Sequence, residues 1–147
     1  MALVYATQQV GVADGTTIPA LKADGAQVNA KLSSITASKP VGTALNSGDT
    51  FFLGTVPAGA RVAKIWVTTD TSFGTATVSI GTLASASKYV AAKTNTVTDV
   101  PTLLGPKAST LDDGQLTAEE DLYVTIGTAN IGAAVIATFE VEITSVK

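Results

Sequence analysis

The sequence predicts an all-β protein built as an antiparallel sandwich or barrel, and three observations carry that prediction. Apolar and polar residues alternate with a period of two in several segments after residue 49. Turn-forming clusters separate these segments at short intervals. No window of a dozen residues carries a helical apolar stripe. At 147 residues the chain is long enough for one domain with a real core and short for two.

Residues 1–48 have a texture of their own. Bulky side chains arrive singly, at Tyr5, Val10, Ile18, Leu21, Val28, Leu32 and Ile35, among Ala, Gly, Thr, Asn, Gln and Lys. Ala-Asp-Gly occurs at 13–15 and again at 23–25. Asp-Gly tolerates positive φ, so both sites read as turns in an extended path. One reading is a loose terminus. The other is an extended N-terminal arm lying on a neighbouring subunit, with Tyr5, Ile18, Leu21 and Val28 as oligomer or capsid contacts. The division expected is 1–48 as the arm and 49–147 as the β-sandwich domain.

Strands are expected near 50–56, 61–69, 75–81, 88–93, 121–127 and 134–145. Phe51, Phe52, Leu53 and Val56 form the first, and Pro57-Ala58-Gly59 turns the chain, with Pro57 at the first corner. The run 61–69 is apolar on both faces, Ala63-Ile65-Val67 and Val62-Trp66, as a central strand would be. That pattern assigns Trp66 to the core and leaves Lys64 as an oddity, marking the end of the buried region or a subunit contact. Ala76, Val78 and Ile80 alternate with polar neighbours, as do Leu122, Val124 and Ile126. The last strand alternates most cleanly, Ala137, Phe139, Val141 and Ile143 against Thr138, Glu140, Glu142 and Thr144. Ser72-Phe73-Gly74, Leu104-Gly105-Pro106 and Asp112-Asp113-Gly114 read as turns between strands. Thr117-Ala118-Glu119-Glu120 has the form of a capping box but runs straight into a strand, so it closes a single turn.

Reactive chemistry is sparse. There is no histidine and no cysteine, which removes the usual proton shuttle, the commonest metal ligand and any thiolate nucleophile. Serines and threonines abound, but only a Lys or a carboxylate is left to activate them. Asp112, Asp113, Glu119, Glu120 and Asp121 cluster in sequence, yet without the alternating spacing of a calcium loop, and they read as solvated acids. No glycine-rich phosphate loop is present. The net charge is −3 and the cations are scattered, so no patch exists to displace counterions from nucleic acid. The apolar runs fall far short of the roughly 20 residues of a membrane-spanning helix, and the N-terminus lacks the positive start and apolar core of a signal peptide. The expectation is a soluble, non-catalytic protein without cofactor or metal.

Four segments in this order, "GDTFFLGTVPAGARVAKIWVTTDTSFGTATVSIGT", "KYVAAKT", "LTAEEDLYVTIGTANI" and "ATFEVEI", give the chain a family likeness over about residues 48–147. It resembles small structural proteins of tailed bacteriophages, of the head decoration (cement) type. The most specific parts are Val56-Pro57-Ala58-Gly59-Ala60-Arg61-Val62, Ser79-Ile80-Gly81, Lys88-Tyr89 and Thr117-Ala118-Glu119-Glu120-Asp121. The resemblance implies a jelly-roll-like β-sandwich that binds the assembled major capsid protein lattice on the capsid exterior. The surplus of apolar residues in a small domain points to a homo-oligomer, and the resemblance implies a trimer made in the bacterial host cytoplasm; scattered cations and short apolar runs argue against a nucleic-acid or membrane partner. The alternatives are a tail or baseplate β-module and a carbohydrate-binding module, the latter testable through Trp66 and Tyr123.

Overall fold

The computed structural model describes residues 31–145. Eight strands follow in order: β1 (Lys31–Ser38), β2 (Thr50–Val56), β3 (Ala60–Thr69), β4 (Thr77–Gly81), β5 (Val90–Thr94), β6 (Thr102–Gly105), β7 (Glu120–Gly127) and β8 (Ala137–Ser145). One sheet has the order β1-β8-β3-β6, the other β2-β7-β4-β5. Every described pairing is antiparallel, and β1 pairs with β8, β2 with β7, β3 with β6 and β4 with β5. The chain is thus one long hairpin rolled into two layers. That is the jelly-roll-like form of the expected all-β antiparallel sandwich.

The cleanly alternating segments behave as read. Ala137, Phe139, Val141 and Ile143 of β8 point inward and are buried, as are Leu122, Val124 and Ile126 of β7 and Val78 and Ile80 of β4. Each fully buried Val, Ile, Leu or Phe contributes roughly 1.5–3 kcal/mol over its exposed state. The Phe51 ring of β2 meets Phe139 of β8 edge-on, centroids 5.6 Å apart, and couples one sheet to the other.

Several expectations are corrected. The expected arm boundary at residue 48 falls inside the sandwich, because Lys31–Ser38 is a strand paired residue for residue with β8. The segment hides its period of two, since its outward row mixes Leu32 with Ser34, Thr36 and Ser38, and only Ile35 and Ala37 of its inward row pack against the core. Leu104-Gly105-Pro106 is not a turn between strands: Leu104 is buried and, with Gly105, ends β6. A single helical turn, α1 (Ala108–Leu111), occupies the β6–β7 connection where no helix was expected. At the β2–β3 turn the Ala60 amide donates to the Pro57 carbonyl at 3.2 Å, so Ala58 and Gly59 are the corners. Gly59 takes φ +81°, which only a glycine adopts without strain.

Trp66 is the largest correction. The β3–β8 register shifts between Val62 and Lys64, a bulge that adds one residue to β3. Val62 and Ile65 therefore share the inner face, with Val67 and Thr69, while Lys64 and Trp66 turn outward. Trp66 is partly buried on the outer face, and Lys64 beside it is an ordinary surface cation.

Because consecutive strands are antiparallel, the connections fall at two ends. At the first end, residues 39–49 (β1–β2), 70–76 (β3–β4), 95–101 (β5–β6) and 128–136 (β7–β8) are tied to one another. Leu45 and Ile131 exchange backbone hydrogen bonds at 3.0 and 2.8 Å, the Phe73 amide donates to Asn95 O at 2.9 Å, and the Asp99 amide to Thr69 O at 2.8 Å. Asp70 and Ile136 form a reciprocal clamp, the Asp70 amide donating to Ile136 O and the Ile136 amide to Asp70 Oδ1. The second end carries the β2–β3 turn, the 82–89 connection and residues 106–119.

Candidate functional site

The surfaces available for recognition are the two outer sheet faces and the two ends. On the outer face of the first sheet, the cross-strand register places Thr36, Glu140, Trp66 and Leu103 in one row, and Ser34, Glu142 and Lys64 in the next. Lys64 Nζ lies 3.4 Å from Glu142 Oε2 and 6.0 Å from the centre of the Trp66 ring. Toward β6 this face sinks into a groove of 490 Å³ with Ala63, Leu103, Pro106 and Leu111 as its apolar lining. Arg61 and Lys93 stand at its borders. The Arg61 guanidinium donates to the Leu111 carbonyl and so fastens α1 over the start of β3. Lys93 Nζ donates to Leu104 O at 2.6 Å.

The outer face of the second sheet is rich in hydroxyls. Thr50, Thr125 and Ser79 lie side by side across β2, β7 and β4. An aromatic pair stands at one edge, Phe52 and Tyr123 with centroids 5.5 Å apart, and Phe52 is 50% exposed.

The first end exposes apolar side chains on loops that hydrogen bonds hold in place: Val41, Val97, Val100 and Ile136. Beneath them Lys39 is buried, and its ammonium donates to three carbonyls, Thr43 O at 2.7 Å, Pro40 O at 3.1 Å and Ala133 O at 3.3 Å. These residues were missed in the sequence. The available signal was an apolar residue beside a turn former, as in Pro40-Val41-Gly42 and Val100-Pro101.

The second end holds the Lys88–Glu120 ion pair. Glu120 accepts from the Tyr89 hydroxyl at 2.6 Å and pairs with the Lys88 ammonium. Burial, then the hydrogen bond to Glu120, then the negative charges of Glu120 and Asp113 push the Tyr89 phenol well above its ordinary range. Asp121 accepts from Thr55 Oγ1 at 2.6 Å. Of the acids clustered in sequence at 112–121, Glu120 and Asp121 are thus held by different partners, and among the described residues no three His, Cys, Asp or Glu converge on a cation position. Also among the described residues, no helix is long and apolar enough to cross a membrane. The expected contact residues Tyr5, Ile18, Leu21 and Val28 lie outside the described residues.

No protein-family model matches the sequence, and no curated protein matches it. Solved structures do share the fold. A chain of the Ralstonia phage GP4 capsid is similar over 80% of this chain and 86% of its own, with a TM-score of 0.59 and 16% identity. A chain of the capsid of Helicobacter pylori bacteriophage KHP30, in its acidic stable structure, matches over 77% and 86%, with a TM-score of 0.55 and 20% identity. A chain of the cyanophage Pam1 capsid asymmetric unit matches over 81% and 86%, with a TM-score of 0.53 and 17% identity.

Proposed function

We propose that this protein is a structural component of a tailed-phage virion that decorates and stabilises the capsid by binding the assembled major capsid protein lattice from outside. The observation that carries the reading is the fold shared with chains of three phage capsids over about four-fifths of this chain. The surface suits the task. The small Ser and Thr side chains of the outer face allow close approach, and the first end presents Val41, Val97, Val100 and Ile136 on a framework already fixed by hydrogen bonds. Binding there freezes few loop residues, so little ordering entropy is lost. Repeated weak contacts across a lattice add up without any single strong one. The role is non-catalytic, and the protein acts as a homo-oligomer, a trimer, whose N-terminal arm supplies part of the contacts through Tyr5, Ile18, Leu21 and Val28. Each such anchor contributes on the order of 1–3 kcal/mol on burial, less the cost of ordering the chain.

The test uses heads of the parent phage assembled without this protein. Added protein should co-sediment with them at a saturating stoichiometry and raise the temperature at which they rupture, and antibody label should mark the head surface. Label confined to the tail would establish the tail-module alternative, and no co-sedimentation would sink the reading. The Phe52–Tyr123 pair favours one rival, a carbohydrate-binding module, because exposed rings can stack on sugars. Glycan-array binding that disappears in Tyr123→Ala would support that rival.

A further inference from the structure

The four strands at the sheet edges are not alike. An edge strand offers unpaired amides and carbonyls to any extended chain, and folded proteins blunt that offer with short length, bulges, lysines or proline. Three edges here are blunted. β6 has four residues, a register break opposite Ile65 and Trp66, and Pro106 directly after it. β5 has five residues, an extra residue of its own where it pairs with Val78 to Ile80 of β4, and Lys93 within it. β2 breaks register between Phe52 and Gly54.

β1 carries none of these interruptions. It runs for eight residues and pairs with β8 in eight successive steps without a break. Its one lysine is at the very start, and it contains neither glycine nor proline. Among the described residues nothing pairs with its outer edge. At about 3.3 Å per residue this leaves roughly 26 Å of straight, open edge. The side chains around it are also incompletely covered. Leu32 is 60% exposed on the outer face, and Ile35 and Ala37 pack against the core but stay partly accessible. A Cβ on Gly54 of β2 would come within 2.6 Å of Ile35 Cγ2, so Ile35 is fixed against the other sheet at this edge.

We propose that the outer edge of β1 is completed by residues 3–10 of a second copy, "LVYATQQV", added as a ninth strand. This deepens the homo-oligomer part of the proposed function. Residues 1–10 are the longest stretch before β1 without Gly, Pro or a charged side chain, and residues 3–10 match the length of β1. Val, Tyr and Thr favour a pleated, half-buried strand. Beyond Val10 the composition changes to turn formers, with Gly11, Gly15, Pro19 and Gly25 before Lys31. Those 20 intervening residues can reach about 65–70 Å when extended, enough to cross to a neighbour. Folded back on their own β1 they would form a structureless loop longer than compact domains ordinarily hold. Exchange between copies is also self-consistent. Each copy gives one strand and receives one, and the head-to-tail arrangement forms a ring when the rotation between copies closes.

The absence of cysteine from the chain makes the test direct. Tagged Ala6→Cys or Thr7→Cys protein is co-expressed with untagged Ser34→Cys protein and treated with a short bismaleimide. Successive residues face opposite ways, so one of the two arm variants shares a face with Ser34. The expected result is a tagged–untagged covalent dimer that is absent when Ala92→Cys of β5 replaces Ser34→Cys. Removing residues 1–10 from the full chain should reduce the oligomer to a monomer with an unchanged strand-type far-ultraviolet spectrum. An oligomer of unchanged mass after that deletion would overturn the proposal. So would a cross-link that forms only within one chain of a double variant, or one equally strong to β5. The readouts need no phage heads: a protein that binds heads without this cross-link loses only the exchange. One that cross-links but ignores heads loses only the capsid role.

Discussion

The two ends of the sandwich are closed by different means. At the first end, backbone hydrogen bonds join the four connections, and the buried cation Lys39 is satisfied by carbonyls alone, not by a carboxylate. At the second, the backbone bonds of Gly59, Leu116 and Lys107 are supplemented by ionic side chains, Lys88 and Glu120 with the Tyr89 hydroxyl. Closure by the backbone releases side chains for other uses, and the first end shows Val41, Val97, Val100 and Ile136 to solvent. The second end spends its polar side chains on holding itself together. A rigid end that shows apolar side chains is what the proposed lattice contact requires.

The largest effect should come from the plug of the first end. Phe73 sits in a turn yet is buried, and its amide is bonded to Asn95 O. Phe73→Ala is expected to cost about 3–5 kcal/mol, read as a large fall in the urea midpoint. A loss comparable to that of an exposed phenylalanine would show that the loops, not the plug, hold this end.

Next comes the buried ammonium. Lys39→Met keeps the apolar stem but strands the carbonyls of Pro40, Thr43 and Ala133, for a cost of about 1–3 kcal/mol. Hydrogen exchange should quicken across 39–45 and 129–136 and stay unchanged at the second end. Faster exchange at both ends would mean that they are not independent.

The second end should respond to alkaline pH through Tyr89. Tyr89→Phe removes one hydrogen bond to Glu120, worth roughly 1.5 kcal/mol near neutral pH. The folded phenol titrates above its ordinary value of 10.0, so the unfolded chain ionises first. Its contribution is complete below that pH and is lost as the pH rises beyond it, until the folded phenol itself ionises. The melting temperature of the native protein should therefore fall above pH 10, and Tyr89→Phe should fall less steeply. Parallel alkaline limbs would separate the fall from Tyr89.

The smallest effect belongs to the open surface. Lys64 is 54% exposed where it pairs with Glu142, and Lys64→Ala should change stability by no more than about 0.5–1 kcal/mol, less at high salt.

By itself the sequence determined the class of fold and the chemistry the chain lacks. Strict alternation in β4, β7 and β8 chose their inner faces, because a strand between two layers must bury every second side chain. The absence of His and Cys narrows the chemical repertoire at the level of the sequence. Tertiary structure decided what depends on register and on partners distant in the chain. One extra residue at the β3 bulge moves Trp66 from the expected core to the outer face, since side chains reverse with each residue and a bulge reverses the count. β1 reads as arm in the sequence because its two bulky apolar residues, Leu32 and Ile35, fall on opposite faces among serines and threonines. Only pairing with β8, a hundred residues later, makes it a strand. Lys39 looks like any surface lysine until three carbonyls from two connections converge on its ammonium. Local pattern records which way a side chain can point, but the strand or loop that meets it is set by the rolling of the whole hairpin.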